Sequence, residues 1–344
     1  MMQYEVTIGI PVYQAVDYIG DTLLSALNQT FPSIEFLILD DCGGDGSMDV
    51  ANRIKAEHPR GKDIRILYHQ TNCGVGVARN HILDEANGQY LYFLDSDDLL
   101  EADAIQLLVN KMHEYRAEIV YGSLDRIDKV GHAATKSFLL PDSCLLSENE
   151  MAFYTFKNYR TFQISVCNCL MDMNFIRGQH LRFLDTVFWE DLAFTYEMVT
   201  KVSRAVLVSD VTYHYLCRPG SLSHYQDREQ LEKSEIQKNV QTIDYLKAKS
   251  RVLMSKPYLP YYCKNLEMNS FYIVCHILKH SHRIVPRFTY QEMRAVIRHP
   301  LSLNKILSFR QKMFPNLLLW LLGIMPVSLF IPSIWLMGKL KKAI

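Results

Sequence analysis

Hydrophobic positions in the first hundred residues come in short blocks, each closed by a turn former or an acid. Val6-Thr7-Ile8-Gly9-Ile10 stops at Pro11, and Ile34-Glu35-Phe36-Leu37-Ile38-Leu39 stops at Asp40-Asp41. Ile64-Arg65-Ile66-Leu67-Tyr68 is a third block, and Tyr90-Leu91-Tyr92-Phe93-Leu94 runs into Asp95-Ser96-Asp97-Asp98. Blocks this short and this apolar predict strands covered on both faces, as in a parallel sheet. Between them the period changes. Over 17–29 the apolar residues Ile19, Leu23, Leu24 and Leu27 share one helix face, and 47–58 and 77–86 predict two more helices. The βαβαβαβ order implies an α/β fold, with a mostly parallel sheet flanked by helices.

Beyond Asp98 the pattern predicts a helix to about 115, a strand Glu118-Ile119-Val120-Tyr121, and an irregular stretch over 123–165. Residues 190–201 predict a helix and 205–208 a strand; Tyr213-His214-Tyr215 then leads to a loop, 217–221. Residues 228–282 are helical in pattern, without strand signals. The stretch 313–338 has no charged residue but contains Pro315, Pro326 and Pro332, with Arg310, Lys312, Lys339, Lys341 and Lys342 around it. Basic residues on both flanks and interrupting prolines favour a segment that lies in a membrane interface, or dips in and returns, over a simple crossing of a ~30 Å core. Trp320 and Trp335 suit the headgroup region. The alternative is a buried helical hairpin or a homodimer contact. The expected organisation is a catalytic domain over 1–225, a C-terminal helical extension over 226–310 and a membrane-associating tail over 311–344.

Composition narrows the classes. The 344 residues are 49% hydrophobic, enough for a sizeable core, and the formal net charge is zero, so no bulk electrostatic case exists for nucleic acid. Eight cysteines are scattered without a CxxC pair, and Cys167 with Cys169 suits a strand edge better than a zinc knuckle. Reduced thiols and an N-terminus without a basic-then-apolar pattern suggest a cytoplasmic protein.

Candidate chemistry gathers where the strands end. Asp95 and Asp97 alternate onto one side, and two like charges that close are costly unless a cation lies between them. Mg²⁺ or Mn²⁺ carried on a diphosphate fits such oxygen ligands; otherwise Asp98 simply caps a following helix. Pro11-Val12-Tyr13 leaves the first strand with a tyrosine that either stacks on a base or packs. In Asp40-Asp41-Cys42-Gly43-Gly44-Asp45-Gly46-Ser47, Asp40 fits a uracil N3–H or a ribose, and Asp45 or Ser47 fits a helix cap. Asn72-Cys73-Gly74 precedes Arg79, which either faces a phosphate or pairs with a carboxylate. In Trp189-Glu190-Asp191 the acids open a helix, where the dipole favours them, and one of them could serve as a general base.

Gly74-Val75-Gly76-Val77-Ala78-Arg79 followed by Asp95 also resembles a dinucleotide fingerprint. Against it, Arg79 stands at the third glycine, the motif follows the third strand, and Asp40, Asp97 and Asp191 are left without roles.

Taken in order, these clusters resemble the inverting family 2 glycosyltransferases with a GT-A fold, from Ile10 to about Ser223. The match runs through Leu24-Ser25-Ala26-Leu27-Asn28-Gln29-Thr30, Asp40-Asp41 with Asp45-Gly46-Ser47, Asn72-Cys73-Gly74, Ala78-Arg79-Asn80, the DxD element Asp95-Ser96-Asp97, and Glu190-Asp191. Tyr215, Arg218, Ser221 and Ser223 complete it. Cys42-Gly43-Gly44 departs from the usual Gly-Ser-Thr. The resemblance implies that Tyr13 stacks near a uracil and Asp40 binds its N3–H. It implies that Pro11, Asp41, Asn72, Gly74, Arg79 and Ser96 line the nucleotide-sugar site, and that Asp97 with Asp95 holds Mn²⁺ or Mg²⁺. Asp191 would be the catalytic base beside Glu190, with Arg218 and Ser221 in a loop over the diphosphate. The donor would be a nucleotide sugar, UDP-linked on this resemblance; the acceptor would be a glycan or a lipid-linked glycan at the inner leaflet. A dinucleotide-binding oxidoreductase and a non-catalytic scaffold of the same fold are the other classes the sequence leaves open.

Overall fold

The computed structural model describes residues 4–128, 130–131, 133–158, 165–186, 189–217 and 228–344. The chain divides into two compact units. One comprises Met1–Met151, Arg160–Asp185 and Glu190–Pro219; the other comprises Ala152–Tyr159, Thr186–Trp189 and Gly220–Ile344.

In the first unit, strands β1 (Val6–Val12), β2 (Ile34–Asp40), β3 (Ile64–Tyr68) and β4 (Tyr90–Phe93) alternate with helices α1 (Ile19–Leu27), α2 (Ser47–Glu57) and α3 (Val75–Glu85). Then follow β5 (Leu99–Leu100), α4 (Ala104–Tyr115), β6 (Ile119–Ile127), β7 (Lys136–Phe138), β8 (Ser143–Leu145), α5 (Glu150–Lys157), which belongs to the second unit from Ala152 onward, then β9 (Cys169–Asp172), α6 (Met173–Gly178), α7 (Glu190–Lys201) and β10 (Ala205–Leu216). The sheet runs β3-β2-β1-β4-β9-β6-β10-β5. The first four strands are mutually parallel, and β6 is parallel to β10. β9 runs antiparallel between β4 and β6. The expected mostly parallel sheet flanked by helices is therefore present.

Every residue of β1 and β4 is buried, which explains their unbroken apolar runs. β10 is longer than its sequence pattern suggests. The exposed Ser209 and Asp210 interrupt the apolar run, and the register with β6 shifts between Leu207 and Val211, the mark of a bulge. The buried Asn168 amide ties this region together. Its Nδ2 donates to the carbonyls of Gly122 (2.6 Å) and Ser123 (2.8 Å), and its Oδ1 accepts from Tyr92 and Thr212.

The second unit is mainly helical: β11 (Leu231–Glu232), α8 (Lys233–Lys249), α9 (Leu259–Lys279), β12 (Ile284–Val285), α10 (Tyr290–Val296), α11 (Leu303–Leu307), α12 (Met313–Ile324) and α13 (Val327–Leu340). The pairing of β11 with β12 corrects the strand-free reading of this region; two-residue strands are too short to leave a period. α9 is buried on nearly all sides, and α8, α10, α12 and α13 pack against it. Lys247 is buried here, donating to the carbonyls of Val296 and Arg298 and pairing with Glu267 at 2.8 Å. The apolar tail is broken at Pro326. Among the described residues no helix is long and apolar enough to cross a membrane.

Candidate active site

Parallel pairing lines up the carboxyl ends of β1, β2 and β4, where open α/β sheets place their ligands. Val12 pairs with Asp40, and Asp41 N–H donates to the Val12 carbonyl, so Tyr13, Asp40 and Asp41 share one edge. Pro11 lies buried in β1, whereas the Tyr13 ring is 43% exposed. Asp40 Oδ1 accepts from the backbone N–H of Cys42 (3.0 Å) and Gly43 (3.3 Å). Asp45 accepts from Ser47 N–H and Oγ and from Val16 N–H, tying the turn after β1 to the start of α2, whose N-cap position is Gly46 without a side-chain cap.

Asp41 is a buried anchor for the next loop. Its Oδ1 accepts from Cys73 N–H and its Oδ2 from Gly74 N–H, at 2.9 and 2.8 Å. Gly74 has φ +86°, a conformation that side chains resist, and Asn72 Oδ1 also accepts its N–H. His69 Nδ1 lies 2.7 Å from Asp41 Oδ1, and His69 Nε2 lies 3.0 Å from His81 Nδ1. Sequence reasoning missed both histidines. His69 directly follows β3, and its position at the shared strand edge was the available signal. Among the described residues, Asp41, His69 and Cys73 bring three potential metal-ligand atoms within 4.8 Å, but Asp41 is already engaged by two N–H groups.

Burial alternates past β4: Asp95 and Asp97 are partly exposed, Ser96 and Asp98 buried. Asp98 does not cap the next helix. It accepts from the Tyr213 hydroxyl (2.6 Å) and from Leu216 N–H (2.8 Å), fastening the segment to β10. Burial, and then the charges of Asp97 and Asp95, push the Asp98 carboxyl well above its ordinary range. Asp95 and Asp97 remain partly exposed on this edge, and their carboxylate oxygens are of the type a hard divalent cation takes, with one Asp95 oxygen engaged by Arg79.

Arg79 joins this edge to α7. It is buried in α3, with Nη2 on Asp95 Oδ1 at 2.9 Å and Nη1 on Glu190 Oε1 at 2.7 Å. Its guanidinium also lies over the Phe93 and Phe183 rings. Of the two partners the sequence left open for Arg79, it engages carboxylates. Gly76 makes room for this crossing: a Cβ there would lie 2.5 Å from the Leu184 carbonyl and 3.4 Å from Glu190 Cβ. Cys167, which the sequence marked only as suiting a strand edge, lies 3.9 Å from Arg79 Nη2.

Glu190 and Asp191 open α7 just after Trp189, whose φ of +65° is strained for a bulky residue. Burial raises the Glu190 carboxyl against the opposing pull of Arg79. Burial and the Glu190 charge push Asp191 up to about 7. A carboxylate at that value can take a proton near neutral pH. The site brings together Asp95, Arg79, Glu190 and Asp191, and places Tyr13, Asp40 and Asp41 along the adjoining strand ends. Arg218 and Ser221 lie outside the described residues.

Residues 7–182 match the family model described as Glycosyl transferase family 2. The putative teichuronic acid biosynthesis glycosyltransferase TuaG of Bacillus subtilis is 34% identical over 138 residues, covering 40% of this chain and 54% of that protein. The matched region thus spans only about half of TuaG. The UDP-Glc:alpha-D-GlcNAc-diphosphoundecaprenol beta-1,3-glucosyltransferase WfaP of Escherichia coli is 29% identical over 237 residues, covering 68% of this chain and 86% of that protein. Among solved structures, S. aureus TarS 1-349 in complex with UDP-GlcNAc superposes with a TM-score of 0.55 at 16% identity, covering 93% of this chain and 90% of that chain; this likeness is one of fold.

Proposed function

The chain belongs to glycosyl transferase family 2, and we propose that it moves a sugar from a UDP-linked donor to a hydroxyl of a glycan or lipid-linked acceptor, with inversion, in the assembly of a surface polysaccharide. The observation that carries this reading is the buried Arg79 bridge between Asp95 and Glu190, which brings Asp191, poised near neutral pH, to the edge of the sheet that would hold the nucleotide. The names of TuaG and WfaP support the polysaccharide and lipid-linked setting, and the TarS complex supports the donor class.

Tyr13 stacks on the uracil, and Asp40 accepts its N3–H. Asp41 holds the Asn72–Gly74 loop so that its backbone lines the sugar nucleotide, and Ser96 lies behind the diphosphate. Asp191 takes the proton of the acceptor hydroxyl. The acceptor oxygen forms its bond to the anomeric carbon as the bond to UDP breaks on the opposite face, so one displacement inverts the centre. Arg79 offsets the burial that raises the Glu190 carboxyl, and the Glu190 charge adds to burial in keeping Asp191 a weak acid. Asp97 and Asp95 would hold Mn²⁺ or Mg²⁺, which when bound offsets charge developing on the leaving diphosphate. Holding donor and acceptor together supplies much of the rate. On this reading the enzyme is peripheral at the inner face of the cell membrane, where nucleotide sugars meet lipid-linked acceptors.

The test is Asp191→Asn. Transfer from UDP-sugars should vanish, while calorimetric UDP binding stays close to wild type. Wild-type turnover in the variant would refute the base assignment.

A further inference from the structure

Helices α12 and α13 each have two apolar faces, and only one of each is covered. Asn316, Leu319 and Leu322 of α12, with Phe330, Ile334 and Gly338 of α13, are buried. Asn316 fixes that face, donating to the Pro260 carbonyl and meeting His299 at 3.1 Å. The opposite face is also apolar and stands exposed: Phe314, Leu318 and Leu321 recur at helical spacing on α12, as do Leu329, Leu336 and Leu340 on α13. Phe314 is 74% and Leu336 64% exposed. Apolar helix faces left exposed on a protein surface mark something that covers them.

Charge identifies the cover. Residues 293–344 contain eight Lys and Arg and no Asp or Glu, although the whole chain is formally neutral. Exposed Lys312 precedes α12, and exposed Lys339, Lys341 and Lys342 end α13, so cations rim the apolar face. Trp335 lies at that rim, with Lys339 Nζ 5.9 Å from its ring centre. A second copy of the chain docked through this face would set the same cations against one another. An anionic bilayer surface would neutralise them. The helices have 12 and 14 residues, about 18 and 21 Å long, against a hydrocarbon core of ~30 Å.

We propose that the outward face of α12 and α13 sinks into the boundary between headgroups and acyl chains of a bilayer rich in anionic lipid, without crossing it. The inference deepens the membrane part of the proposed function and is independent of the assigned catalytic groups. Lys339 and Trp335 sit at the headgroup level, and Leu318 and Leu336 point into the acyl boundary.

Flotation of the full chain with vesicles tests it, using phosphatidylcholine alone and phosphatidylcholine with phosphatidylglycerol, at low and high salt. The chain should float with the anionic vesicles and fall away from the neutral ones. Changing Lys339, Lys341 and Lys342 together to Gln should weaken partitioning about a hundredfold, at about fivefold per cation. The Leu318→Asp, Leu336→Asp double variant should abolish flotation at unchanged melting temperature, since both side chains are exposed. No flotation with anionic vesicles overturns the proposal. So does equal flotation with neutral vesicles that ignores the lysines, or a dimer in sedimentation that the double variant dissociates. UDP binding, measured in the same samples, separates the two readings: its retention with failed flotation sinks only the membrane surface, and its absence with intact flotation sinks only the catalytic assignment.

Discussion

Asp191→Asn should stabilise the protein above neutral pH while it removes transfer. The Asp191 carboxyl is raised from 3.8 to about 7, first by burial and then by Glu190. Between those values the native state keeps the proton and the unfolded chain has released it. Wild-type stability is therefore full below pH 3.8, falls by about 1.4 kcal/mol per pH unit through the window, and levels off above pH 7. The full cost of the native carboxylate is at most about 4 kcal/mol; relaxation around this partly exposed group lowers it, so roughly 2–4 kcal/mol is expected. Asn carries no such titration. The variant's advantage should be small near pH 4, grow through pH 5 and 6, and reach a plateau by pH 8. For a unit of this size that is a rise in melting temperature of roughly 4–16 °C at pH 8. Thermal melts of both proteins across the range measure it. An advantage that stays constant from pH 5 to 8, or a variant less stable at pH 8, would refute the argument. The wild-type transfer rate should rise with pH through about 7, because only the anion accepts the acceptor's proton.

Arg79→Met should cost roughly 3–5 kcal/mol, because Glu190 is left buried without its cation; it should also move the alkaline rise of transfer to higher pH, since Arg79 now pulls Asp191 downward. A melt and rate profile like wild type would contradict this. Asp97→Ala should weaken Mn²⁺-dependent UDP binding by about 10–100-fold, whereas Cys73→Ser should leave it intact; the reverse result in calorimetry would move the cation to the Asp41, His69 and Cys73 cluster. Gly76→Ala should cost about 1–3 kcal/mol and depress transfer, because the Leu184 carbonyl must move; a variant that melts and turns over normally would show that this contact is slack.

β1, β2 and β4 were legible because strands buried on both faces leave near-continuous apolar runs, and the edge strand β3, with only Ile64 buried, still begins and ends where its pattern does. The α7 limits were equally readable from acids at one end and Lys201 at the other. Legibility failed where the signal was tertiary. The bulge in β10 put Ser209 and Asp210 in the middle of a strand and hid its second half. Asp98 reads locally as a helix cap, and only the pairing of β10 with β5 brings Tyr213 within reach of it. The partners of Arg79 are 16 and 111 residues away, so the sequence offered a phosphate or a carboxylate with no means to choose. Two-residue strands such as β11 carry no period at all.

Arg79 also explains why a glycine pattern of the dinucleotide type can serve a different chemistry. In that motif the second glycine admits a pyrophosphate and the third lets helix and strand close. Here the space beside Gly76 is filled by the Leu184 carbonyl and Glu190, so protein occupies the position where a pyrophosphate would approach. At the third position Arg79 stands in the gap between α3 and β4, and instead of closing it spans from the end of one strand to the start of α7. Gly74 contributes neither contact; its N–H and its left-handed backbone turn the loop onto Asp41. The same three positions therefore build a bridge between a strand-end acid and a helix-start acid. A buried cation shared by both acids offsets the burial that pushes the Glu190 carboxyl up, and burial, with the Glu190 charge added to it, holds Asp191 near neutrality.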